Sequence, residues 1–292
     1  MKVAVYSRTF NQDFLPHIKD FFRWLNEYGF EVFVFHEFLE FMAGQFQYRP
    51  SFVSSFNGYQ DMAGDMDFVV SIGGDGTFLD TVSLVRDTGI PVIGINSGKL
   101  GFLASIARDD IHQAIEALYH GQYTIEERTL LKMHTDAPVF NHCSYALNDF
   151  TIQKKESEMI TIHVDLNGAF LNTYWADGLI IATPTGSTAY SLSVGGPIVL
   201  PNSRSFIISP ISPHNLTVRP IVVPDDSRIT LRPAGRSSKY LISMDHRSRV
   251  IEQTMSIEMV RAGFTMKVLR LNHTSFYSTL RSKLMWGVDK RN

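Results

Sequence analysis

The sequence has a single cysteine, Cys143, and little charge. One thiol excludes an internal disulfide and is typical of proteins kept in a reducing compartment. Lys, Arg, Asp and Glu make up 19% of the 292 residues, below the roughly 25% of an average soluble protein. This shortage hints at surface covered in an oligomer. The net charge of −2 gives no electrostatic reason to expect binding to nucleic acid or to an anionic membrane.

Long apolar runs are missing as well. No stretch of the sequence approaches the roughly 20 residues that a membrane-spanning helix needs, and the beginning of the chain turns polar too soon for a secretory signal. We therefore expect a cytoplasmic protein. The hydrophobic fraction of 44%, with 12% aromatic residues, indicates a globular chain, and its length is enough for about two domains.

The first 122 residues predict a parallel sheet covered by helices. A strand over 2–7 is followed by helically spaced apolar residues up to Leu25 and by a second strand over 31–35. This strand–helix–strand order predicts a Rossmann-like α/β domain that binds ligands at the carboxyl ends of its strands. Residues 41–66 are weakly patterned, and we interpret them as a short helix plus a mobile loop.

After residue 122 the pattern changes to strand-like runs separated by turns. These runs predict an all-β, sandwich-like domain over 123–271. Two of the predicted strands cover 255–260 and 264–271. A final helix, marked by Phe276, Leu280 and Leu284 and ending at Gly287, follows the β domain. We expect residues 272–292 to return to the first domain, because a lone helix has little to pack against elsewhere.

A glycine-rich turn is the most informative stretch of the first domain. A buried strand over 67–72 leads into it, and a helix with Phe78 on its apolar face continues from it. Glycines leave backbone N–H groups uncovered, and the start of a helix adds partial positive charge. The turn therefore predicts a phosphate site made by Gly73, Gly74, Gly76 and Thr77.

Asp75 is the unusual member of this turn. A carboxylate beside a phosphate repels it, unless the carboxylate orients a hydroxyl, accepts its proton or meets a cation. The alternative is that Asp75 caps the helix, as Asp often does.

A second glycine-rich loop, residues 96–103, follows the next strand at the same edge of the predicted sheet. Its Asn96 could donate to a ligand or only stabilise a turn.

A run of small hydroxyl residues follows a buried strand at 179–182. Ser and Thr supply many short donors and acceptors, which suit the ribose hydroxyls and base edges of a nucleotide. The alternative is an ordinary polar loop. A serine nucleophile is not expected, because Ser187 lacks the flanking glycines of a nucleophile elbow.

Several motifs together resemble one family. The glycine turn lacks the Lys of a P-loop and the spacing of the dinucleotide fingerprint, but it resembles the Gly-Gly-Asp-Gly-Thr turn of a superfamily of NAD kinases, lipid kinases and, more distantly, phosphofructokinases. The run over 177–193 resembles the NAD kinase signature in particular. Asn148-Asp149, the block over 209–222 and the helix over 280–287 are similar to further family motifs. The chain thus resembles the NAD kinase (ATP-NAD 2′-phosphotransferase) family, bacterial type.

The resemblance implies a reaction. The family moves the γ-phosphoryl of ATP, of another nucleoside triphosphate or of polyphosphate to the adenosine 2′-hydroxyl of NAD, giving NADP. It implies that Asp75 deprotonates that hydroxyl while a divalent cation, Mg²⁺, accompanies the phosphates; no side chain is assigned as a direct metal ligand. It also implies a homo-oligomer, a tetramer. The residues expected to bind NAD are Asp75, Gly76, Phe78, Asn148, Asp149, Asp177, Thr188, Ala189, Tyr190, Ser191, Leu192 and Ser193.

Two positions depart from the family pattern. Asp245-His246-Arg247 stands where the family commonly has Asp-Gly-Gln or Asp-Ser-Gln. Arg247 could pair with a phosphate or be structural. Trp175 stands where some relatives have a basic residue, which leaves open the choice between NAD and NADH.

Two other functions compete with an NAD kinase. A lipid kinase of the same superfamily would need an apolar tunnel or a membrane-facing patch, and the sequence gives no sign of either. A dinucleotide sensor without catalytic activity would be expected to lack Asp75. The presence of this carboxylate favours an enzyme.

Overall fold

A computed structural model describes residues 1–62, 66–98, 101–140, 143–235, 239–252, 255–272 and 275–285. The chain divides into two compact units: Met1–Glu127 with Met266–Asn292, and Arg128–Thr265. The boundaries expected after residues 122 and 271 lie a few residues away from these, because strands Tyr123–Thr135 and Ile257–Leu271 each begin in one unit and end in the other.

The elements alternate along the first unit and are mostly strands in the second. In chain order up to the change of unit they are β1 (Lys2–Tyr6), α1 (Leu15–Glu27), β2 (Glu31–Phe35), α2 (His36–Phe46), β3 (Val53–Phe56), α3 (Tyr59–Met62), β4 (Phe68–Gly73), α4 (Asp75–Val85), β5 (Val92–Asn96), α5 (Ile111–Tyr119) and β6 (Tyr123–Thr135). The remaining elements are β7 (Tyr145–Ala146), β8 (Asp149–Lys154), β9 (Ile160–Leu166), β10 (Ala169–Ala176), β11 (Gly178–Ala182), α6 (Tyr190–Ser193), β12 (Ser205–Ile211), β13 (Ile221–Pro224), β14 (Ile229–Ala234), β15 (Lys239–Met244), β16 (Arg247–Glu252), β17 (Ile257–Leu271) and α7 (Phe276–Leu284). Short 3₁₀ turns cover Gln12–Phe14, Arg108–Asp110 and Thr185–Thr188.

The first unit contains a parallel sheet, as predicted. Its strands run in the order β3-β2-β1-β4-β5, all neighbours parallel, and the end of β17 pairs with β5 at Val268. Gly73 and Asn96 are register partners at the carboxyl ends of β4 and β5. The glycine turn and the second loop therefore leave the sheet side by side.

The prediction for residues 41–66 was wrong in part. This stretch holds the end of α2, the strand β3 and the short α3, and β3 pairs with β2 in parallel. The central serines of β3, Ser54 and Ser55, are exposed. An edge strand with polar residues lacks the apolar alternation by which a strand is predicted.

The second unit is a sandwich of two antiparallel sheets, as predicted. One sheet has the order β10-β9-β14-β17, and the other has the order β13-β12-β11-β8-β15-β16. Apolar side chains of both sheets form one buried cluster, which includes Ile162, Phe150 and Tyr240. The strands β10 and β16 were not predicted, because both lie at sheet edges and are largely exposed. The two strands expected over 255–260 and 264–271 are one continuous strand, β17.

The last helix belongs to the first unit, as expected. The ring of Phe276 on α7 lies 6.2 Å from the ring of Phe102 in the second glycine-rich loop. The predicted helix end at Gly287 lies outside the described residues. In the part of the chain that is described, no helix has both the length and the apolar character needed to cross a membrane.

Candidate active site

The glycine turn leaves the start of α4 uncovered. Gly73 has φ +154°, and a Cβ at this position would lie 2.3 Å from Thr77 Oγ1, so only glycine fits there. Gly74 is the N-cap of α4, and a Cβ on Gly74 or Gly76 would meet nothing within 4 Å. Open backbone at the N-terminus of an 11-residue helix is suited to hold a phosphate.

Asp75 does not cap the helix. Its Oδ2 accepts the N–H of Phe102 at 2.9 Å, and its Oδ1 accepts the N–H groups of Leu103 and Ala104, each at 3.0 Å. The alternative of a capping Asp is therefore wrong. The second glycine-rich loop instead holds the carboxylate in one orientation. The side chain keeps 30% of its surface exposed, so it remains within reach of a ligand.

Gly101 makes this arrangement possible. A Cβ on Gly101 would lie 1.8 Å from Asp75 Oδ1, closer than any real contact allows. The sequence predicted a loop at this edge but not its contact with Asp75. Lys99 and Leu100 of the same loop lie outside the described residues.

Lys283 lies near Asp75, a contact that the sequence did not predict. Its Nζ on α7 lies 3.9 Å from Asp75 Oδ2 and 5.3 Å from the centre of the Phe102 ring. The lysine is 34% exposed, so it places a positive charge beside the carboxylate at the surface. No local sequence signal links Lys283 to Asp75, since only the tertiary fold brings the end of the chain to the glycine turn.

Asn96 and Phe78 are buried residues next to the glycine turn and the second glycine-rich loop. Asn96 is buried at the end of β5, and its Oδ1 accepts the N–H of Gly98 at 2.6 Å. The Asn96 side chain therefore stabilises the turn, which is one of the two roles that the sequence left open. Phe78 is fully buried, and a Cβ on Gly94 would lie 2.9 Å from its ring. Any contact of Phe78 with NAD would therefore involve its backbone.

In the second unit, Asp149 is the first residue of β8 and Asn148 directly precedes it. The Asn148 carbonyl accepts the N–H of Thr183 at 2.9 Å, and the Thr183 hydroxyl donates to the Leu147 carbonyl at 2.5 Å. A Cβ on Gly186 would lie 2.0 Å from the Asn148 carbonyl oxygen. The start of the hydroxyl-rich loop and the Asn148-Asp149 pair are thus packed directly against each other.

The hydroxyl-rich loop has a buried and an exposed part. The Ser187 hydroxyl is buried, where it donates to the Val199 carbonyl at 3.2 Å and accepts the Val199 N–H at 3.0 Å. Ser191 is also buried, with its hydroxyl 3.1 Å from that of Ser209. These hydroxyls stabilise the loop. Within this loop, the predicted NAD-binding residues that are exposed or half-buried are Thr188, Ala189, Tyr190, Leu192 and Ser193.

Trp175 lies near the end of β10, and Asp177 lies between β10 and β11. The Asp177 carboxylate pairs with Lys154 Nζ at 2.6 Å. Trp175 is 57% exposed and lines a cavity of about 300 Å³ with Tyr174, Pro213 and Val218, among others. A flat aromatic surface thus stands at position 175.

Comparison with known proteins identifies the family. A model of the ATP-NAD kinase N-terminal domain matches residues 15–123, and one of the C-terminal domain matches residues 147–271. An NAD kinase of Cytophaga hutchinsonii is 40% identical over 293 residues, and one of Bacteroides fragilis strain YCH46 is 43% identical over 292 residues. Both comparisons cover 100% of this chain and 100% of the relative.

The chain belongs to the NAD kinase family. It is therefore an enzyme, a kinase, and the resemblance seen in the motifs is confirmed. Two solved structures share the fold. Yeast NADH kinase complexed with NADH has a TM-score of 0.88 at 23% identity and covers 99% of this chain and 88% of its own. An NAD kinase from Archaeoglobus fulgidus in complex with ATP has a TM-score of 0.75 at 24% identity and covers 98% of this chain and 99% of its own.

This member of the family carries a pair of buried acids, Asp149 and Asp245, beside Asn148. Burial, and after it the charge of Asp245, raises the pKa of Asp149 to about 8. Burial also raises the pKa of Asp245, while the backbone donors of residues 147–149 and the charge of Arg247 act in the opposite direction. Near neutral pH we expect Asp149 to hold a proton.

The raised pKa of Asp149 predicts how the stability of the folded chain depends on pH. Between about pH 4 and pH 8 the folded chain keeps a proton that the unfolded chain releases, so stability falls as pH rises through this window. From about pH 5.5 to pH 8.5, wild type should lose about 3 kcal/mol more unfolding free energy than Asp149→Asn, at 1.36 kcal/mol per pH unit. Urea denaturation of both proteins at the two pH values measures the difference.

Asp165→Asn is the matched control, since Asp165 lies on β9 in an ion pair with Arg232. It should keep the pH dependence of the wild type. Equal pH dependence in wild type and Asp149→Asn would show that Asp149 is already ionised at neutral pH.

Proposed function

We propose that this enzyme transfers the γ-phosphoryl group of ATP to the adenosine 2′-hydroxyl of NAD, giving NADP. Family membership supports the reaction, and the solved relatives are described with NADH and with ATP. The observation on which the proposal rests is the Asp75 carboxylate, which is oriented by three amides beside an open glycine turn.

Asp75 is the proposed general base. A carboxylate that is fixed at the end of a phosphate-binding turn can orient a sugar hydroxyl and take its proton as the O–P bond forms. The bond from the γ-phosphorus to the leaving oxygen of ADP breaks in the same displacement. Gly73, Gly74, Gly76 and Thr77 form the proposed phosphate site, where backbone N–H groups at the start of α4 offset negative charge.

Gly76 and Phe78 are further proposed NAD contacts in the first unit, and the remaining ones lie in the second unit. Asn148 and Asp149 are proposed to bind the adenosine end, and Asp177 is proposed to bind the nicotinamide half. The hydroxyl-rich loop supplies the other proposed contacts, made by Thr188, Ala189, Tyr190, Ser191, Leu192 and Ser193. For Ser191, which is buried, the contact would come from the backbone.

The family implies a divalent cation, and we propose Mg²⁺. Among the described residues, no three His, Cys, Asp or Glu side chains are grouped so that they could hold a metal. Mg²⁺ usually keeps several waters and binds substrate phosphates, so a cage of protein side chains is not needed at the glycine turn. When bound, the ion would neutralise charge on the phosphates. We also propose a cytoplasmic homotetramer, to which the low charged fraction of 19% lends support.

Product formation tests the function directly. With ATP and Mg²⁺, the purified chain should convert NAD to NADP and should leave diacylglycerol and sphingosine unphosphorylated. Chromatography of the nucleotides and of a lipid extract from the same reaction measures both. Phosphorylated lipid without NADP would replace the proposal by the lipid kinase alternative. An active monomer in sedimentation would contradict the tetramer.

A further inference from the structure

The turn between β15 and β16, residues 245–247, departs from the family pattern, and the structure gives it a defined place. Asp245 has φ +52°, a left-handed conformation that reverses the chain directly after Met244. Met244 pairs with Phe150, so the turn lies beside the start of β8. There the N–H of Asp245 donates to the Asp149 carbonyl at 2.9 Å.

The Asp245 carboxylate gathers the N–H groups of three successive residues. Its Oδ2 accepts from Leu147 at 3.0 Å, and its Oδ1 accepts from Asn148 at 2.7 Å and from Asp149 at 3.3 Å. Leu147 and Asn148 lie outside both flanking strands, β7 and β8. Backbone N–H groups in such a buried connection need another acceptor, and this side chain supplies it.

Arg247 holds the segment that leads into these residues. Its Nη1 donates to the Cys143 carbonyl at 2.6 Å, and its Nη2 donates to the Tyr145 carbonyl. A guanidinium presents its donors in a rigid planar fork, so it fixes both carbonyls together. This places Arg247 among backbone carbonyls, as in the structural interpretation of this residue.

Asn148 is thus fixed from two sides. Asp245 accepts its N–H, and Thr183 donates to its carbonyl. We propose that Asp245 and Arg247 are positioning residues: they hold the backbone of 143–149 so that Asn148 and Asp149 are presented to the adenosine end of NAD. This inference rests on the proposed function, because it assigns a task to the turn in that same reaction.

The chemistry of the turn favours this task over simple stabilisation. A carboxylate that is buried next to a second acid, Asp149, is costly to keep. Asn in place of Asp245 would offer one acceptor oxygen and add an NH₂ group facing backbone donors. Only the carboxylate accepts on both oxygens and holds the three amides in one arrangement.

Asp245→Asn tests the inference. We expect Kd and KM for NAD to rise about tenfold, because misplacing binding groups by about 1 Å costs up to about 10²-fold. KM for ATP should stay within about twofold of wild type, since the turn is not part of the proposed phosphate site. Calorimetry with NAD and steady-state kinetics measure these values. A merely structural role would lower the folded fraction, and with it kcat, but leave both KM values unchanged.

Arg247→Lys keeps the positive charge but loses the planar pair of donors of the guanidinium. This variant tests the inference if Asp245→Asn does not fold. Its KM for NAD should rise about threefold, while Asp165→Asn, the control in the same unit, should match wild type. Unchanged affinity for NAD in the folded variants, or equal rises in KM for NAD and ATP, would overturn the inference. If wild type forms no NADP, the proposed function is wrong, and the inference, which rests on it, is wrong as well. If the variants form NADP normally and bind NAD like wild type, the inference is wrong but the proposed function stands.

Discussion

Asp75→Asn lowers the turnover of NADP formation by roughly 10² to 10⁴, the loss expected when a general base is removed. The amide of Asn cannot take the proton of the 2′-hydroxyl. NAD should still bind, because the glycine turn and the residues proposed to bind the adenosine end are unchanged. Steady-state kinetics give kcat, and calorimetry gives the Kd for NAD.

The matched control is Asp87→Asn. Asp87 is an exposed acid just beyond α4, where it accepts a hydrogen bond from the Tyr59 hydroxyl at 3.0 Å. This control should keep wild-type kcat. Because Asp75→Asn would also disturb the amides of residues 102–104, thermal melting must show that the variant is folded. Near-normal NADP formation by folded Asp75→Asn would show that Asp75 takes no part in the chemical step.

Gly101→Ala should have the second largest effect. The new methyl group would lie 1.8 Å from Asp75 Oδ1, so either the carboxylate or the loop must move. We expect kcat to fall by about 10 to 10²-fold, because a shift of about 1 Å in a positioned group can cost that much. Overpacking of this kind also costs about 1–3 kcal/mol of stability. Steady-state kinetics and urea denaturation measure the two effects.

Gly98→Ala is the control for Gly101→Ala. Gly98 lies in the same loop, but a Cβ there would meet nothing within 4 Å. Its kcat should therefore equal that of wild type. If Gly101→Ala also has wild-type kcat, the orientation that the loop gives to Asp75 is not needed for turnover.

The elements that carry their own local signal could be predicted from the sequence. In α1, the apolar residues Ile18, Phe21, Phe22 and Leu25 recur at helical spacing, and all four are buried. The glycine turn was recognisable because its glycines stand between an apolar strand and a helix with regular apolar spacing. The edge strands β3, β10 and β16 lacked such a signal, since exposed strands need no regular apolar alternation.

The contacts that orient the candidate site could not be predicted, because they join distant parts of the chain. Asp75 receives amides 27 to 29 residues away, and Asp245 receives amides 96 to 98 residues away. Lys283 reaches Asp75 from the last helix. Side chains that bind backbone groups leave no pattern of residue types to recognise. The residue types at the site were therefore predictable, whereas their partners were not.

The most direct test is a single turnover in which enzyme loaded with NAD is mixed rapidly with saturating ATP and Mg²⁺, stopped by acid and analysed by ³¹P NMR. Wild type and Asp75→Asn are compared, so that slow product release cannot hide the chemical step. Wild type should place the phosphate on the adenosine 2′-oxygen, and Asp75→Asn should form the same product roughly 10² to 10⁴ times more slowly. Equal rates in the two proteins, or a phosphate on another oxygen, would contradict the assignment of Asp75 as the base for this hydroxyl.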